Sequence, residues 1–67
     1  MDFGVWMHER RIKRSMSQQR LADKVGVHIN SIRRWEQGEQ TPTFDKAQDI
    51  VRALGQEITI TGEKYGR

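Results

Sequence analysis

Between Ser17 and Gly38 the apolar residues fall at helical spacing, break once at a glycine, and start again. Leu21, Ala22 and Val25 share one face of a short helix, Gly26 can turn the chain with positive φ, and Val27 plugs the corner. Ile32 and Trp35 then resume the period in a second helix, so the two pack around one small core. Ser17 has the hydroxyl needed to cap the first of these helices, which ends at Gly26. The second runs from Ile29 to Gln37 and is stopped by Gly38.

The flanking segments extend the pattern. A helix is expected from Phe3 to Arg14, with Val5, Met7 and Ile12 as candidates for burial. After the turn Glu39, Gln40, Thr41, Pro42, a further helix starts with Thr43 as its cap and Asp45 in the first turn, where negative charge is favoured. Phe44, Ala47, Ile50, Val51 and Leu54 give it an apolar face, and Gly55 is expected to end it. From Glu57 to Thr61 the residues alternate, which predicts a strand with Ile58 and Ile60 on one side. The organisation expected is therefore a helical domain over 1–55, a strand within 56–61 and a flexible tail over 62–67.

Composition narrows the chemistry. Sixty-seven residues make one domain with a marginal core, for which a partner chain would be useful support. Twelve Lys and Arg against nine Asp and Glu leave a formal charge of +3, a modest basic excess that suits phosphate. With no cysteine and two histidines, neither a disulfide nor a structural zinc site is expected, and a reducing cytoplasm fits. No secretory signal or membrane span can be drawn, and no cofactor is called for. Neither a paired histidine and carboxylate nor a glycine-rich phosphate loop followed by Lys is found, so no enzyme is expected.

Arg11, then Ser17, Gln18, Leu21, Ala22, Val25, Gly26 and Val27, then Ile32, Trp35, Glu36 and Gly38, then Pro42, Leu54 and Gly55 together resemble the Cro and C1 repressor type of helix-turn-helix protein, the XRE family. The likeness covers about residues 7–55 and is specific, because apolar, small, glycine and polar positions stay in register through two helices. It implies an all-α fold, a compact λ-repressor-like bundle, here of four expected helices with the C-terminal strand added. It also implies an ion pair between Arg11 and Glu36, a grip on DNA phosphate by Gln18, and base reading by His28, Ile29, Asn30 and Arg34, with Arg33 nearer phosphate.

The residues themselves supply both kinds of group that DNA reading needs. A helix N-terminus offers unpaired N–H donors to phosphate oxygens, which suits Ser17, Gln18 and Gln19; the loop ending at Thr43 can add a second grip. At about 100° per residue, Ile32 and Trp35 turn inward while Ile29, Asn30, Arg33 and Arg34 spread over the outer arc, which would enter the major groove. There Asn30 can pair with the N6 and N7 edge of adenine, Arg34 with O6 and N7 of guanine, and Ile29 can rest on a thymine methyl. Trp35, on the apolar spacing, reads as core and not as a stacking ligand.

The chain departs from the family after Gly55, where the family continues into another helix. A lone strand leaves backbone groups unpaired, so Ile58 and Ile60 are expected to pair with a second copy, giving a homodimer on an inverted-repeat operator of double-stranded DNA. The function expected is that of a transcriptional repressor with no small-molecule effector. The alternative is an antitoxin, whose relatives end in such a strand and which would bind a toxin protein.

Overall fold

A computed structural model describes the backbone of residues 2–64 and the side chains as far as Gly55. It contains α1 (Phe3–Lys13), α2 (Gln18–Val25), α3 (Ile29–Gln37) and α4 (Phe44–Lys64). Each start has a local cause. The Asp2 carboxylate accepts from the Gly4 N–H at 3.0 Å, the Ser17 hydroxyl from the Arg20 N–H at 3.0 Å, and the Thr43 hydroxyl from the Lys46 N–H at 3.2 Å. The two internal stops are left-handed glycines, Gly26 at φ 79° and Gly38 at φ 80°. At the first, the N–H groups of Gly26 and Val27 both return to the Ala22 carbonyl, at 2.8 and 3.0 Å, which closes α2 and launches the turn into α3.

The core is formed by Met7 of α1, Leu21, Ala22 and Val25 of α2, Ile32 and Trp35 of α3, and Ile50 and Leu54 of α4. Met7, Leu21, Ile32, Ile50 and Leu54 are fully buried, and each such side chain stabilises the fold by roughly 1.5–3 kcal/mol. Arg14 fastens the middle of α4 by donating from Nε to the Leu54 carbonyl at 2.7 Å. Phe3 and Trp6 stack at 5.6 Å between ring centroids, and the Arg10 guanidinium lies 5.4 Å from the Trp6 ring.

Several expected core positions lie at the surface. On α1 the inward stripe is Gly4, Met7 and Arg11, so Val5 and Ile12, each about 100° further round, point outward. On α4 the line Ile50 and Leu54 faces the core, which leaves Phe44 and Val51 at its rim and exposed, Phe44 at 75%. Helix α1 also stops one residue early, with Arg14 as its cap.

The strand expected over 57–61 is not seen. That backbone is helical and continuous with α4, and Gly55 is buried within the helix instead of ending it. An isolated strand would leave its N–H and C=O groups without partners, whereas helix propagation pairs them within the chain. A glycine inside a helix costs only about 1 kcal/mol. The side chains of Ile58 and Ile60, and hence their expected pairing across a dimer, lie outside the described residues. The tail expected over 62–67 meets the end of α4 at Lys64, and 65–67 are likewise outside the description.

Candidate nucleic-acid interface

One carboxylate holds α1, α2 and α3 together. Glu36, near the end of α3, has a side chain only 5% exposed, and Arg11, 9% exposed, donates to it from Nε to Oε2 at 2.8 Å and from a terminal nitrogen to Oε1 at 3.1 Å. This is the two-point arrangement a planar guanidinium favours. Arg11 also donates to the Met16 carbonyl at 2.9 Å, which fixes the turn before α2. Gln18, the first residue of α2, donates its side-chain amide to Glu36 Oε1 at 3.1 Å. His8 Nδ1 lies 3.2 Å from both Glu36 Oε1 and an Arg11 terminal nitrogen, so it donates to the carboxylate when it carries a proton and accepts from the guanidinium when it does not. Burial pushes the Glu36 carboxyl up. The hydrogen bonds from Arg11, Gln18 and His8 and the Arg11 charge outweigh that, and hold it below the usual carboxylate value.

At the start of α2, Ser17 accepts from the Arg20 N–H, and helix geometry leaves the N–H groups of Gln18 and Gln19 without partners inside the helix. The Gln18 side chain is turned onto Glu36, leaving its carbonyl oxygen and second amide hydrogen for other use, while Gln19 donates to Asp23 at 2.9 Å on the exposed face. Thr43 is exposed and its hydroxyl caps α4.

Helix α3 is two-sided. Ile32 and Trp35 are buried; His28, Asn30, Arg33 and Arg34 are exposed. Ile29 is only half-exposed, because part of it packs on the core, which reduces the surface it can offer to a base. His28 is the N-cap: its Nδ1 accepts from the Asn30 N–H at 3.0 Å, which places the ring proton on Nε2. Arg33 donates to the Asn30 side-chain carbonyl at 3.1 Å. The Arg34 side chain has no partner among the described residues.

Sequence reasoning missed two contributors. His8 lies three residues before Arg11, on the same face of α1, a spacing that makes neighbours of helical side chains. Gly4 had no local signal. A Cβ there would collide with the Trp35 carbonyl oxygen, so α1 crosses the end of α3 at a distance only glycine allows. Among the described residues no group of His, Cys, Asp or Glu is arranged to hold a metal ion. No described helix is long and apolar enough to cross a membrane.

A family model described as helix-turn-helix matches residues 7–60. The chain is also 37% identical, over 54 residues, to a type II methyltransferase of Lactococcus lactis subsp. cremoris, a match that takes in 76% of this chain and 14% of that protein. The chain thus spans about one seventh of the length of the curated relative it matches. No solved structure matches it. With a left-handed glycine turning α2 into a two-sided α3, and with the family match running through both helices, the chain belongs to the XRE, or Cro and C1, type of helix-turn-helix DNA-binding proteins.

Proposed function

We propose that this chain binds double-stranded DNA sequence-selectively as a homodimeric regulator of transcription, a repressor, with α3 in the major groove. The observation that carries this reading is the outer arc of α3. His28, Asn30, Arg33 and Arg34 stand clear of a core that claims only Ile32, Trp35 and part of Ile29 from the same helix. The open N–H groups at the start of α2 supply the phosphate contact that sets register, with Ser17, Gln18, Gln19 and Thr43 beside the groove.

A second copy of the chain is supported by the small core and by the apolar surface that Phe44 and Val51 leave on α4. The antitoxin reading leaned on a terminal strand, and no described residue favours it. A binding role without catalysis, in the cytoplasm and with control exerted through protein concentration or a partner, follows from the same proposal.

Selection of binding sites from random duplexes tests it. The expected product is an approximate inverted repeat with half-sites about 34–36 Å apart, bound with an affinity that falls steeply as salt rises. Replacing Asn30 with Ala should relax the preference at one position in each half-site. Recovery of no motif, together with undisturbed α3 amide resonances on titration with duplex, would end the proposal.

A further inference from the structure

The exposed edge of α3 is biased toward hydrogen-bond donors. Asn30 could in principle offer an acceptor oxygen and a donor amide side by side, the pair that matches adenine's N6 amino group and N7. Its oxygen, however, already accepts from Arg33 at 3.1 Å. A second lone pair is left on that oxygen, but an amino group seated on it would press its hydrogens toward a guanidinium that donates into the same atom. What points outward is therefore the Asn30 amide and the remaining N–H groups of Arg33. His28 adds to them: its Nδ1 is taken by the Asn30 N–H at 3.0 Å, so its other nitrogen, Nε2, carries a proton and donates.

We infer that Arg33 acts through Asn30 as a specificity-determining residue, and that α3 reads guanine, through its adjacent N7 and O6 acceptors, at the base pair Asn30 meets. Guanine alone shows two neighbouring acceptors in the major groove; adenine pairs an acceptor with a donor, thymine offers one acceptor and a methyl, and cytosine offers a donor. Arg33 thereby takes a role beyond phosphate contact. The inference rests on the proposed reading of DNA by α3.

Binding-site selection with the full chain, run in parallel on wild type, Asn30→Ala and Arg33→Ala, tests it. The position that loses its preference in Asn30→Ala is the one Asn30 meets, and guanine is expected there in the wild-type motif. In Arg33→Ala the freed oxygen can accept from adenine, and the guanine-to-adenine ratio at that position should fall by about fivefold or more. Should Arg33→Ala bind too weakly for selection, the wild-type chain still decides. Replacing that guanine with 7-deazaguanine, which lacks the N7 acceptor, should weaken binding by about fivefold or more. Adenine at that position in wild type, an unchanged ratio in Arg33→Ala, or indifference to 7-deazaguanine overturns the inference while leaving DNA binding intact. Enrichment of no motif at all removes the underlying reading as well.

Discussion

The side-chain amide of Gln18 donates to Glu36 Oε1 at 3.1 Å, so the first residue of α2 is tied to the last turn of α3 by a direct hydrogen bond. Across the same carboxylate, Arg11 and His8 bring in α1. The angle between the two helices of the motif is thus held at one end by the Gly26 turn and at the other by Glu36. Any shift of α3 against α2 must break a charge-assisted contact.

Replacing Glu36 with Gln should lower stability by about 2–3 kcal/mol, because it leaves the buried Arg11 guanidinium without its counter-charge. Thermal unfolding followed by circular dichroism measures this. A melting midpoint equal to that of wild type would show that the pair contributes nothing.

Acid should unfold the wild-type chain more readily than the Glu36→Gln variant relative to their own neutral-pH stabilities. The Glu36 carboxyl is held below its ordinary value in the folded state, so its contribution is fully present above that ordinary value and is lost as pH falls through the folded one. Urea titrations across the acid range should show a slope for wild type that the variant lacks. Parallel slopes would contradict the linkage.

For Gly4, helix propensity and packing predict opposite signs. Alanine is better than glycine inside a helix by about 1 kcal/mol. At Gly4 the added methyl meets the backbone carbonyl of Trp35, which cannot swing aside as a side chain end could. Packing should win, with Gly4→Ala destabilising by about 1–3 kcal/mol in chemical denaturation. A variant more stable than wild type would mean that α1 stands further from α3 than described.

Ser15 adopts φ 55°, in the left-handed region that disfavours side chains. Substitution by Gly should relieve more strain than it adds in unfolded-state freedom, for a gain of about 0.5 kcal/mol and a rise of about 2–4 °C in melting temperature. Calorimetry would decide, with an unchanged or lower midpoint counting against a strained turn.

The helices around Gly26 were legible because their signals are local: apolar residues at helical spacing, a hydroxyl before Gln18, and glycines where the chain reverses. The same is true of the Thr43 cap. The Arg11 and Glu36 contact came from family resemblance, since nothing in the spacing of two charges 25 residues apart brings them together. Gly4 was invisible because its role is set by a backbone that packs against it from another helix. The segment Glu57–Thr61 misled for the opposite reason. Its β-branched alternation is a strand signal taken alone, but α4 arrives from the N-terminal side already nucleated, and extending a helix is far easier than starting a strand with no partner.

The left-handed glycines at 26 and 38 mark off α3 as an exchangeable cassette. Between them the interior makes full claims on Ile32, Trp35 and the Glu36 carboxylate, and lesser ones on Val27 and Ile29, while His28 is held to its capping role, so heritable variation at Asn30, Arg33 and Arg34 can proceed with little penalty in folding. Descendants of such a chain could drift from one target to another while the scaffold stays put.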